Sequence, residues 1–359
     1  MEALRVGFVG TRAPHSFMFL DTLRLIPDVV GSIALVEPDG ERAAKAGVAE
    51  VHPTLDAMLE AGKPDVCFIM LPTDEVEEPA IRCAEAGCPI LIDKHCANTA
   101  AALSRILAAC ECSGVGMASG YVWRYSPVVQ DLRRWVVNGV FGRVFCFDIR
   151  MVTTSAEVRL RDPQFAWLFE RKRSGGGILI WLGCHYIDMV RYIFQREVVA
   201  VTAATAKLTE SASDVEDVAS VSLVLDDGSV GTLHCAYVMP AGLKDAYDTC
   251  FAVWGSRGDA TWSPIVGGMH PTVRIRSLHP HWGSNPERVV QYADTPVPQA
   301  YGGTQWVVDY FRDTLRRLAA SEAPMVSGHD ALKVLEICEA AYRSAAAGQR
   351  AETTGTNFS

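Results

Sequence analysis

Positive charge is what this chain is short of. Its 359 residues carry 33 lysines and arginines against 42 aspartates and glutamates, a formal net charge of −9. Nucleic acids and anionic membranes are gripped through a basic footprint, so the composition argues against both as partners. Long apolar runs are missing too: no stretch approaches the roughly 18 uncharged residues of a membrane-spanning helix. The opening MEALRVGFVG lacks the basic segment and apolar core of a secretory signal, so a cytoplasmic location is expected. The eleven cysteines contain no CxxC pair, and the nearest two are Cys110 and Cys112. Thiols without framework spacing are expected to be reduced, each acting as a small buried hydrophobe. Internal repeats and low-complexity segments are absent.

What is present is enough apolar material for a large core. Hydrophobic residues make up 49% of the chain and charged residues 21%, the balance of a soluble globular protein. At about 150 residues per domain, the length predicts two domains. The first third alternates strand-like runs (4–10, 31–39, 64–72, 88–95, 115–123) with helix-like runs (16–27, 54–62, 77–87, 99–114). Such alternation with short turns predicts a doubly wound parallel sheet of the Rossmann type, here over residues 1–124. The pattern then changes to a helix (126–139), a long alternating strand (142–154), a glycine-led helical stretch from 175, and mostly strands from 197 to 293. DDG at 226–228 and SRGD at 256–259 sit where hairpin turns belong. With two closing helices (303–321 and 328–347), residues 125–348 read as an α+β domain with a large open antiparallel sheet. The tail, 349–359, reads as disordered.

The first turn, GFVGTRAPHS, is where a dinucleotide pyrophosphate would meet helix amides. Gly10 fits the first place of G-x-G-x-x-G, but Arg12 and His15 hold the other two. Glu37 ends the second strand, where an acid accepts ribose hydroxyls and repels a 2′-phosphate, favouring NAD over NADP. It reads equally well as a solvated turn acid.

Several motifs in order resemble the Gfo/Idh/MocA oxidoreductases (glucose–fructose oxidoreductase, inositol dehydrogenase, rhizopine catabolism). They are VEPDGERA, LPTDEVEEPAIRCAEAGCPILIDKH, GYVWRYSPVVQDLRRWVVNGVFGRV, SGGGILIWLGCHYIDMVRYIF and DALKVLEICEAAYRSAAAGQ, spread over nearly the whole chain. The resemblance implies NAD, a sugar, cyclitol or related polyol, and no metal. Lys94 matches the lysine that holds the reacting oxygen, and His185 the acid/base histidine. Asp188, one turn on, is placed to orient His185. Cofactor contacts are expected from Gly10, Thr11, Arg12, Ala13, Glu37, Leu71, Pro72, Thr73, Asp93 and Lys94. Substrate contacts are expected from Tyr121, Arg124, Trp167, Arg171, Trp181 and Asp188.

The departures are as informative. Trp181 stands where the family usually has an aspartate, four residues before the histidine and on its helical face. Asp93-Lys94-His95 stands for Glu-Lys-Pro, and Val76 for a frequent histidine. Val122 and Trp123 precede Arg124 where polar residues are common. Arg12 replaces a glycine and is placed to offer its guanidinium to a phosphate. Arg159, Arg161, Arg171, Lys172 and Arg173 form a basic loop that reads either as solvated surface or as a seat for a substrate anion. Three functions follow. The first is net oxidation of a sugar derivative. The second is a glycoside hydrolase or lyase that oxidises its sugar transiently with retained NAD. The third is a non-catalytic binding relative. An open sheet face predicts a homodimer or homotetramer.

Overall fold

The computed structural model describes residues 2–240, 242–243, 247–264 and 272–353. Six parallel strands build the first sheet: β1 (Leu4–Val9), β2 (Val30–Val36), β3 (Glu50–His52), β4 (Val66–Ile69), β5 (Ile90–Ile92) and β6 (Met117–Ser119). They lie in the order β3-β2-β1-β4-β5-β6. That is the dinucleotide-fold order, whose direction reverses between β1 and β4, where such sheets bind ligands. Every residue of β4 is buried, as expected of a strand covered on both faces.

The covering helices are α1 (Ser16–Arg24), α2 (Gly40–Ala46), α3 (Leu55–Ala61), α4 (Glu77–Glu85) and α5 (Ala100–Ser113). Side chains of Asp39, Thr54 and Thr99 cap α2, α3 and α5, supplying acceptors for first-turn N–H groups. Helix α2 and strand β3 were not anticipated; seven and three residues are too short for a period to register. Strand β6 stops early because Val122–Tyr125 winds into a 3₁₀ turn leading to α6 (Pro127–Val137).

The second sheet has nine strands. They are β7 (Val144–Thr154), β8 (Val198–Ala206), β9 (Val218–Leu225), β10 (Val230–Met239), β11 (Tyr247–Gly255), β12 (Gly258–Trp262), β13 (Thr272–Ser277), β14 (Glu287–Gln291) and β15 (Ala351–Glu352). Both predicted hairpins form, β9–β10 across the DDG turn and β11–β12 across SRGD. One pairing differs from expectation: β7 and β10 run parallel. Parallel neighbours need a long crossover, and the segment between them supplies it. That segment includes α7 (Ala156–Arg159), α8 (Arg171–Ser174) and α9 (Cys184–Phe194).

Helices α10 (Gln305–Ala319) and α11 (Gly328–Ala347) close the chain and return to the first sheet. Phe311 stacks on Phe68 and meets Phe19 edge-on, and Tyr310 donates to the Ser119 carbonyl at 2.7 Å. The tail is ordered further than expected. Ala351 pairs with Val201 in β8, and the Thr353 N–H donates to the Val199 carbonyl. Residues 354–359 lie outside the described residues. Eight cysteines are buried, whereas Cys112 and Cys146 are exposed and Cys250 is half-buried. Among the described residues, no helix is long and apolar enough to cross a membrane.

Candidate active site

The glycine-led stretch is not one regular helix. Leu179–Gly183 forms a π-helical turn that runs into α9. Such turns recur at functional sites because the wider winding re-aims side chains. The preceding glycines are demanded by close approach. A Cβ on Gly176 would lie 2.0 Å from the Tyr342 hydroxyl, and one on Gly177 would lie 2.0 Å from the Glu216 carbonyl oxygen. The buried Glu216 carboxylate accepts the N–H groups of Gly177 (2.9 Å) and Leu179 (3.2 Å), and the Tyr342 hydroxyl (2.8 Å). It therefore anchors the N-terminal end of the turn, where free amides favour negative charge.

Lys94 reaches this turn from the end of β5, through a segment whose Lys94–His95 peptide is cis. Its Nζ donates to the Trp181 carbonyl at 2.7 Å and lies 2.9 Å from the centroid of the indole. Burial pulls the Lys94 pKa down to about 8, against the opposing pull of Cys184 and Asp93. His185 follows four residues after Trp181 and is 7% exposed. Its ring meets Tyr121 edge-on at 5.7 Å, and its Nδ1 has no hydrogen-bond partner. Burial, then the nearby Lys94, hold its pKa well below the ordinary value, so the imidazole is neutral at pH 7. The Tyr121 hydroxyl and the Trp181 Nε1 are likewise buried and unpartnered.

Trp167 covers the indole of Trp181 edge-on at 6.5 Å and donates its Nε1 to the Arg12 carbonyl at 3.4 Å. Sequence reasoning missed His15 as a member of this group. Its Nδ1 lies 2.7 Å from the Asp93 carboxylate, and its ring stacks on Trp181 at 5.5 Å and leans on Tyr301 at 4.7 Å. The signal was its place in the first turn, where a glycine is the norm. Glu216 gave no such signal, since its partners lie 37 or more residues away.

Four expectations are corrected. Asp188 does not orient His185: it is fully buried and receives Arg124 Nε at 3.0 Å and Nη2 at 2.6 Å. Arg124 also reaches Asp330 at 3.0 Å, so this pair ties α9 to the 3₁₀ turn and α11 and is not free for substrate. Arg171 sits 3.5 Å from Glu216, and Arg173 pairs with Asp74 and Glu75, so two of the loop's five cations are already neutralised and Arg171 is not free for substrate. Arg12 grips the Glu75 carboxylate with both terminal nitrogens and is not free for a phosphate.

The nucleotide turn itself fits its ligand. Arg12 and Ala13 N–H groups donate to the Met70 carbonyl, which sets the end of β1 beside Leu71, Pro72 and Thr73 at the exit of β4. Gly10 adopts φ +79°, and a Cβ there would meet Leu71 at 2.3 Å. The backbone N–H groups of Thr11 and His15 have no acceptor among the described residues, leaving donors for a phosphate. Glu37 is buried, not solvated, and accepts the Thr11 hydroxyl at 2.6 Å. Its carboxylate stands at the end of β2, where ribose hydroxyls are bound in this fold.

Known proteins share this fold. Residues 4–121 match the oxidoreductase family described as having an NAD-binding Rossmann fold. Residues 129–261 match the GFO/IDH/MocA C-terminal domain. D-apiose dehydrogenase of Paraburkholderia graminis is 26% identical over 96% of this chain and 87% of its own. Inositol 2-dehydrogenase of Rhizobium meliloti is 28% identical over 85% of this chain and 86% of its own. Among solved structures, levoglucosan dehydrogenase in complex with NADH and levoglucosan superposes with a TM-score of 0.81. The identity is 20%, with 99% of this chain and 100% of that one covered.

Proposed function

This chain belongs to the Gfo/Idh/MocA family of NAD-binding oxidoreductases, and from that premise we propose that it oxidises a carbinol carbon of a sugar, cyclitol or sugar derivative. The observation that carries the reading is the meeting of Lys94 and His185 at one turn, although they come from different sheets' connections. NAD held at the turn of Gly10 and Thr11, with its ribose at Glu37, would supply the acceptor for the hydride that leaves the carbinol carbon. His185, neutral and buried, accepts the hydroxyl proton. Lys94, as an ammonium, donates to the same oxygen and lowers the cost of its developing negative charge. Its present acceptor, the Trp181 carbonyl, holds the ammonium in place until that oxygen arrives. Trp181, Trp167 and Tyr121 supply flat apolar walls for a sugar ring, and they keep water from the reacting atoms. The buried Glu37 supports NAD over NADP.

The test is accumulation of reduced nicotinamide, by its near-ultraviolet absorbance, when the protein meets NAD and a panel of sugars and cyclitols. Net reduction supports the proposal. NAD that stays bound through purification, with sugar consumed and no reduced cofactor released, would replace it with the transient-oxidation reading. Failure to bind either nucleotide would leave the non-catalytic reading.

A further inference from the structure

Polar side-chain atoms that are buried and unpartnered gather on one side of this site. Of the twelve such atoms among the described residues, six belong to Tyr121, Thr153, Arg159, Trp181, His185 and Tyr237. Native interiors leave few such groups, and a cluster of them marks a place where something else supplies the partners. The first, fourth and fifth are the reaction site already described. The other three form a second group.

Thr153 is the next-to-last residue of β7 and the register partner of Tyr237 on β10. Arg159 closes α7, six residues beyond Thr153, and its guanidinium carbon lies 5.2 Å from the centroid of the Tyr237 ring. Arg159 has no hydrogen bond and no carboxylate partner from its side chain among the described residues. Of the loop's cations it alone has a buried side-chain nitrogen without a partner, whereas Arg171 and Arg173 are paired with Glu216, Asp74 and Glu75. The positive charge of Arg159 is felt at Lys94, which it helps to keep from holding a proton.

We propose that Arg159, with the hydroxyls of Tyr237 and Thr153, seats a carboxylate on the substrate, which is therefore a polyhydroxy acid and not a neutral sugar or cyclitol. The inference rests on the oxidoreductase reading for what happens to that acid, but the seat itself is a matter of binding. Arg159 is half-buried, but its Nε is buried without a partner, and a guanidinium stays charged at any physiological pH, so this nitrogen calls for an anion. One fork and two hydroxyl donors match the two oxygens and single charge of a carboxylate. A phosphate dianion would carry a second charge that this one guanidinium does not balance, and the nearby Lys94 is committed to the reacting oxygen. Neutral sugars would leave the guanidinium unpaired, and that penalty discriminates against them.

The experiment is calorimetric titration of the full-length protein, with and without NAD, using matched pairs. The pairs are D-glucuronate with D-glucose, D-galacturonate with D-galactose, and D-gluconate with D-glucitol. At least one acid should bind about tenfold or more tightly than its neutral partner. Arg159→Gln should abolish that preference, Arg159→Lys should retain part of it, and Tyr237→Phe should weaken the acid by a smaller factor. NADH affinity of Arg159→Gln, read by fluorescence, should match the wild type and so report a folded nucleotide half. The proposal is overturned if acids and neutral partners bind alike in every pair, if no acid binds, or if Arg159→Gln keeps the preference. Acid binding at Arg159 without any NAD binding or nicotinamide reduction would instead sink the oxidoreductase reading and leave the seat standing.

Discussion

Trp181 touches Lys94, His15, His95 and Trp167 at once. An aspartate in its place would add a negative charge beside the ammonium. With an indole there, burial prevails and the Lys94 pKa falls to about 8. If the ammonium form holds the reacting oxygen, kcat/KM for oxidation should fall as pH rises through about 8. His185, whose pKa is displaced downward, should add no limb between neutrality and that point. Trp181→Asp should move the alkaline limb upward by roughly one unit or more. A rate that climbs through the same range would mean Lys94 acts as the base. The lysine and histidine proposed to react stand in the sequence in a family-like order, and the structure brings Lys94 to the turn that leads into His185. The fate of Asp188 was not. Three-residue spacing puts it on the face of His185 but does not say which distant cation claims it, and Arg124, 64 positions earlier, does. His15 was visible only as a missing glycine; nothing local indicates that Asp93 would receive it.

The glycine run, the π-helical turn and α9 act as one element, and Glu216 is what fixes their entry. Removing its carboxylate would strand two buried N–H groups and the hydroxyl of the half-buried Tyr342. Glu216→Ala should cost about 3 kcal/mol or more, read as a lower denaturant midpoint, and Glu216→Gln clearly less. A midpoint unchanged in the alanine variant would show that the turn is held by packing alone. The sequence marks this element by its glycines, but gives the wrong reason for them. A helix start would explain one such residue; contact with Tyr342 and the Glu216 backbone explains the run. The π-helical winding leaves no trace in a 3.6-residue period, because five residues are too few to shift it.

At the scale of the molecule, the alternation of buried strands and capped helices was sufficient to read the first sheet and its strand direction. The parallel β7–β10 pair was not readable, since alternation records which face is buried and not which way a strand runs. The same alternation leaves one face of the second sheet open. On β9, Ala219, Val221, Leu223 and Leu225 point inward while Ser220 and Ser222 point out, and Trp254 on β11 stays exposed. We propose that two copies cover this face. Light scattering should then give at least twice the 39.0 kDa of one chain, and a monomer mass would contradict it.

The claim on which the rest depends is that Lys94 works directly on the substrate oxygen. The measurement that bears on it most directly is kcat/KM of Lys94→Ala with a sugar or sugar acid that the wild type oxidises. The account predicts a fall of about 10²–10⁴-fold with the protein still folded and still able to take up NADH. A variant that reduces nicotinamide within a few-fold of the wild-type rate would contradict it.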